Sequence, residues 1–157
     1  MMRTLVAGVG NVFLGDDGFG CEVARRLAAV PRPDGVAVVD FGIRGMHLAY
    51  ELSSGAWDAA ILVDAVARGG PAGTLYVIAP DEDAAGERRG TGDAHGIDLS
   101  DVFAMAGTIG TPPPRVVVVG CEAAELDERI GLSDAMERAI EPAIKLVQSL
   151  WQEGGPA

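Results

Sequence analysis

Histidine and cysteine each occur only twice in this chain, aromatic residues make up 5% of it, and 12 basic side chains face 23 acidic ones. Two thiols, Cys21 and Cys121, are too few and too far apart for a disulfide-stapled scaffold or a Cys-x-x-Cys zinc ribbon. In a domain able to build its own core they read as buried packing residues in a reducing compartment. Cys21 opens a helix, where a thiolate gains some stabilisation, but no histidine is near it in sequence, so core packing is the expectation there too. A net charge of −11 repels nucleic acid and anionic membranes at long range and favours a cation or a basic peptide as partner. No run approaches the roughly 20 apolar residues of a membrane span. The opening Met1-Met2-Arg3-Thr4 leads into a short, glycine-broken apolar run that does not read as a signal peptide. A soluble, cytoplasmic protein with no nucleic-acid or membrane partner is expected.

Catalytic signatures are missing as well. There is no Gly-x-Ser-x-Gly elbow, and Ser53, Ser54, Ser100, Ser133 and Ser149 all lie outside the acidic strand ends described below, which argues against a serine hydrolase. There is no Gly-x-x-x-x-Gly-Lys-Ser/Thr stretch, and Gly8-Val9-Gly10-Asn11-Val12-Phe13 lacks the third glycine of a dinucleotide fingerprint.

What is present is a chain of 157 residues, 48% apolar, whose 22 glycines and 9 prolines punctuate many short elements without any internal repeat. That is enough for one domain, expected over 1–153, with a frayed tail at 154–157. Strand-like runs occur at Thr4–Val9, Val36–Asp40, Ala59–Ala65, Thr74–Ile78 and Arg115–Gly120, several of them apolar throughout, as strands covered on both faces should be. Helical patterns lie between them at Gly18–Ala29, Gly45–Leu52 and Asp98–Ala106, with a last one over about Leu132–Gln152. This alternation predicts an α/β domain with a mostly parallel sheet and right-handed crossovers.

Ligands of such sheets collect outside the carboxyl ends of the strands, and here those ends are acidic. The first strand leads into Asp16 and Asp17, the second into Asp40, the third carries Asp64, and the fifth ends in Gly120-Cys121-Glu122. A polar segment, Asp81 through Asp93, reads as a mobile loop delivering Ala94-His95-Gly96. Two carboxylates at the start of a helix repel a polyphosphate and suit a cation. Asp17, Asp64 and His95 together make a mixed oxygen and nitrogen set suited to nickel, zinc or manganese, with positions left open for water or substrate.

Each residue also has an ordinary explanation. Asp16 precedes a helix and serves as an N-cap, Asp17 complements a helix dipole, and a lone His95 between glycines is a solvated side chain. Asp64 closes an apolar strand and needs compensation if buried. His47 sits in a helical pattern and reads as structural.

The combination Gly8-x-Gly10-Asn11-x4-Asp16-Asp17-Gly18-x-Gly20, then Ile61-Leu62-Val63-Asp64-Ala65, then Ala94-His95-Gly96 resembles the nickel-iron hydrogenase maturation proteases, over nearly the whole domain. The resemblance implies a single-domain three-layer sandwich of the phosphorylase/hydrolase type. It implies an endopeptidase that removes the C-terminal extension of a nickel-loaded [NiFe]-hydrogenase large-subunit precursor. It places the metal-contacting acidic residue of the opening motif on Asp17, where many members have glutamate, the second on Asp64 and the histidine on His95. The nickel is expected to come with the precursor, zinc or cadmium being able to substitute, and Asp16 or Asp17 is the expected proton acceptor for water. A non-catalytic nickel-binding maturation chaperone using the same residues is the alternative. Many relatives have a Gly-Thr-x-Gly-like turn after the second strand where this chain has Gly42-Ile43-Arg44-Gly45. Arg44 either binds or holds a carboxylate there or is a plain surface residue.

Overall fold

Valine, isoleucine, leucine and alanine fill the central strands so completely that neither face of the sheet tolerates water. The computed structural model, which describes residues 2–79, 99–109 and 114–152, covers both faces with helices. Strands β1 (Thr4–Val9) and β3 (Ala59–Val66) are buried at every position. They are flanked by β2 (Val36–Gly42), β5 (Arg115–Glu122) and a short β4 (Leu75–Ile78), in the order β2-β1-β3-β5-β4. All neighbours pair in parallel except β4, which runs antiparallel along β5 at one edge.

The helices divide between the two faces. Phe19, Val23 and Leu27 of α1 (Phe19–Ala28) join Ile140, Ile144 and Val147 of the last helix, α4 (Asp134–Gln152), over Val6, Ile61, Val63 and Val119. On the other face, Leu48 and Leu52 of α2 (Gly45–Leu52) join Leu99 and Val102 of α3 (Leu99–Ile109) over Leu5, Ala7, Leu62 and Val118. The result is the single-domain α/β architecture expected, three layers around a mostly parallel sheet. From β1 to β2 the chain moves one way along the sheet and from β2 to β3 it moves back across β1. Crossovers of one hand therefore put α1 and α2 on opposite faces. This reversal brings the loops after β1 and β3 to the carboxyl ends of two neighbouring strands, the place where ligands of such sheets collect.

Elements differ from expectation mainly at their ends. β5 continues through Gly120 to Glu122 because Gly120 is a packing residue: a Cβ there would meet Val66 Cγ1 at 2.9 Å. Helix α4 runs through Pro142, which lacks an amide donor, since Ala139, Ile140, Ala143, Ile144 and Val147 around it are all buried. Before α1 the chain makes a 3-10 turn, Gly15–Gly18, where continuous helix was expected from Gly18. The Asp81–Asp93 loop, His95 and the expected frayed tail at 154–157 lie outside the described residues. Among the described residues no helix is long and apolar enough to cross a membrane.

Candidate active site at the carboxyl ends of β1 and β3

Close backbone approach brings the acidic loop onto the sheet. A Cβ on Gly20, in the first turn of α1, would lie 2.0 Å from the carbonyl oxygen of Val63 and 2.6 Å from that of Val9. Glycine at this position thus allows α1 to begin directly on the ends of β3 and β1. Gly10, at φ +139°, turns the chain out of β1, and a Cβ there would sit 1.9 Å from the Asp17 carbonyl oxygen. Its N–H donates to the carbonyl of Gly42 at 3.0 Å, tying the loop after β1 to the end of β2.

Asp17 and Asp64 are consequently buried at one rim, 2% and 3% exposed. Asp17 Oδ2 accepts a 2.8 Å hydrogen bond from the backbone N–H of Asn11, which fixes the carboxylate against the turn that leaves β1. Beneath them lies Cys21, buried, whose Sγ reaches the Gly10 carbonyl at 3.5 Å. Burial first, then a hydrogen bond and repulsion from Asp40 and repulsion from Asp17 and Asp64, hold its thiol far above the usual range. Its burial and the acidic surroundings keep the sulfur protonated and unreactive. Cys121, packed 3.3 Å from Met136 Sδ, is pushed up to about 12, mainly by burial. Both cysteines are free and buried, as expected.

Asp16 does not serve as the helix cap expected of it. No side-chain cap closes the turn it sits in. Its Oδ2 accepts from the N–H groups of Ala124 and Glu125, both at 2.8 Å, and from the Ser133 hydroxyl at 2.9 Å, while Oδ1 accepts from the Ser133 N–H at 2.7 Å. Burial raises its pKa, but the N–H groups of Ser133, Glu125 and Ala124 and the Ser133 hydroxyl outweigh it and hold the group below the usual carboxylate range. A carboxylate with both oxygens so engaged is a fastener and a poor proton acceptor. Ser133, which its sequence position separates from the acidic strand ends, is in fact its partner.

The acidic rim is accordingly smaller than the strand ends imply. Glu122 is buried and folds away to close the turn after β3: its oxygens accept from the N–H groups of Arg68, Gly69 and Gly70 at 3.0–3.2 Å and from the Tyr76 hydroxyl at 2.7 Å. Burial raises its pKa, and these donors more than compensate, lowering it overall. Among the described residues Arg44 holds no carboxylate. It donates to the carbonyls of Phe41 at 3.0 Å and Asp40 at 2.6 Å and stacks over the Phe41 ring, bracing the end of β2. His47 is exposed on α2.

The donor set fits a cation in part. Asp17 and Asp64 would offer a cation hard carboxylate oxygens near the carboxyl end of β3. Among the described residues no group of three His, Cys, Asp or Glu side chains is gathered around one point suited to a metal ion, and the expected third ligand, His95, lies outside them. Asn11 went unassigned in the sequence; it follows a glycine that must leave the strand, the one signal that its N–H would turn back toward the acidic pair.

Comparison with known proteins agrees with this fold. The HycI family of hydrogenase maturation proteases matches residues 21–150. The hydrogenase 2 maturation protease of Escherichia coli is 31% identical over 155 residues, spanning 98% of this chain and 93% of that one. Among solved structures, the hydrogenase maturating endopeptidase HybD from E. coli superimposes with a TM-score of 0.83 at 30% identity, covering 98% of this chain and 94% of that one. A hydrogenase 2 maturation peptidase from a Thaumarchaeota archaeon gives 0.70 at 33% identity, with 96% and 98% covered.

Proposed function

This chain belongs to the hydrogenase maturation protease family, and from that membership we propose that it is the cytoplasmic endopeptidase that removes the C-terminal extension of a nickel-loaded [NiFe]-hydrogenase large-subunit precursor. The observation that supports the reading is the burial of two carboxylates, Asp17 in the turn packed on β3 and Asp64 near the carboxyl end of β3 itself. Two carboxylates buried near one end of the sheet favour a cationic partner over an anionic one. The precursor's own nickel is that cation in this reading, with Asp17, Asp64 and His95 completing its coordination.

Specificity then follows from differential affinity. A precursor without nickel brings no charge to neutralise the pair and is held weakly, so cleavage waits for metal insertion. Hydrolysis needs a polarised carbonyl and a water that loses a proton. Asp17 is the proton acceptor assigned here, because Asp16 has both oxygens committed to hydrogen bonds, whereas Asp17 stands in the turn packed on β3. Zinc or cadmium, which accept the same oxygen and nitrogen ligands, would occupy the site in place of nickel.

The test is the intact mass of the precursor, nickel-loaded or nickel-free, after incubation with the protein or with Asp17→Asn. The reading predicts one C-terminal loss, seen only with nickel and only with the unaltered protein. Binding of the loaded precursor with no change in its mass would identify a chaperone instead.

A further inference from the structure

The acidic loop has a second partner besides the sheet. Residues 11–18 and 123–133 are laced together by backbone bonds, Gly15 N–H to the Arg129 carbonyl at 2.9 Å, Arg129 N–H to the Phe13 carbonyl at 3.0 Å and Asp16 N–H to the Glu125 carbonyl at 2.8 Å. The buried Asp16 carboxylate fastens the same two segments from below. Such loops are rigid, yet they hold large apolar side chains out in water: Phe13 is 63% exposed and Ile130 75%. Between them lies a cleft of about 400 Å³, walled by Asn11, Phe13, Leu14, Glu128, Arg129 and Ile130. Ile130 is also the ridge to a second cleft of about 180 Å³, whose walls include Val12, Glu22 and Glu137.

We propose that these joined clefts are the docking site for an extended stretch of the protein substrate that carries apolar side chains next to a lysine or arginine; this rests on the peptidase reading above. Three observations fix the occupant. Exposed aromatic and branched side chains on a pre-organised surface gain by being covered, and the rigid loops have already met the cost of ordering them. The charge around the larger cleft is negative: Glu125, Asp127 and Glu128 stand against Arg129 alone between Ala123 and Ser133, Arg129 is already bonded to Glu125, and the whole chain carries −11, whereas Glu22 and Glu137 of the smaller cleft are paired with Arg25 and Arg26. Finally, Asn11 is both a wall of the larger cleft and the donor to Asp17. A segment seated there thus runs directly toward Asp17 and Asp64, so the clefts select which part of the precursor is presented for cutting.

The experiment is initial-rate kinetics on the nickel-loaded large-subunit precursor from the same organism, at low and high salt, for the unaltered protein, Phe13→Ser, Ile130→Ser, Glu128→Gln and Val77→Ser. Val77, 53% exposed on the edge strand β4, controls for simple loss of surface apolar area. Docking predicts a KM about tenfold higher for Phe13→Ser and Ile130→Ser with kcat within about twofold, as expected for apolar anchors of an interface. It also predicts that the KM of the unaltered protein rises with salt and that Glu128→Gln weakens this rise. A KM for Phe13→Ser and Ile130→Ser equal to that of Val77→Ser, with cleavage intact, overturns the docking site and leaves the peptidase reading standing. Failure of the unaltered protein to cut the precursor overturns the peptidase reading and the docking site with it.

Discussion

Asp16 and Ser133, 117 residues apart in sequence, meet in a buried two-point contact, in which the backbone N–H and the hydroxyl of Ser133 both donate to the aspartate, at 2.7 and 2.9 Å. With Ala124 and Glu125 donating to the same carboxylate, this contact joins the motif loop to the strand-to-helix connection that precedes α4. An amide has only one acceptor oxygen, so Asp16→Asn must turn its NH2 toward an N–H on one side or the other. We expect a loss of about 3 kcal/mol, read as a fall in Tm of roughly 6–12 °C.

Acid should act through the same group. Its folded pKa is depressed, so its contribution is fully present above the unfolded value, about 3.9, and is lost as pH falls through the folded one. Denaturation curves taken downward from pH 5 should steepen below about pH 4 in the unaltered protein, and Asp16→Asn should remove part of that acid limb.

Asp17→Asn keeps the shape and can still accept from the Asn11 N–H, so its melting should change little. Cleavage of the loaded precursor should fall about 100-fold or more, the scale of a lost general base. Asp64→Asn should behave alike, and a drop in Tm matching the drop in rate would assign either residue to structure.

Gly20→Ala tests the placement of the acidic loop. Its methyl would overlap the Val63 and Val9 carbonyl oxygens, and both belong to strands that cannot yield. A destabilisation of about 1–3 kcal/mol is expected, together with reduced cleavage as Asp17 shifts off the rim. Unfolding in urea and precursor cleavage measure the two effects.

Cys21 should resist alkylation by iodoacetamide in the native state at pH 8 and react promptly in denaturant. Its folded pKa lies above the unfolded value, so the stability it gives is complete below about 8.5 and erodes as pH rises beyond it. Cys21→Ala should flatten that alkaline limb, visible in melts between pH 8 and 10.

The sheet is legible in the sequence because its strands are runs of β-branched residues too apolar to face water, and the helices because Phe19, Val23 and Leu27 repeat at helical spacing. Asp17 and Asp64 are legible as carboxylates where apolar segments end, and their choice as metal ligands rests on that position and ligand type, which the family resemblance then strengthens. Other features depend on contacts that local pattern does not encode. Nothing around Asp16 announces Ser133, and an aspartate before a helix looks the same whether it caps that helix or crosses the molecule. Glu122 reads as part of an acidic rim until Gly69 and Gly70 are seen to fold their N–H groups over it. Arg44 looks like a ligand for anions, but the nearest acceptors after β2 are carbonyls of its own chain.

The tie between Asp16 and Ser133 also sets an order of assembly during synthesis. Asp16 emerges early, and its partners emerge more than a hundred residues later, roughly ten seconds on at common rates of translation. Until then the acidic loop lacks its fastener and the cleft between Phe13 and Ile130 lacks a wall, so a nascent or truncated chain ending before residue 133 cannot yet set this loop in its folded place.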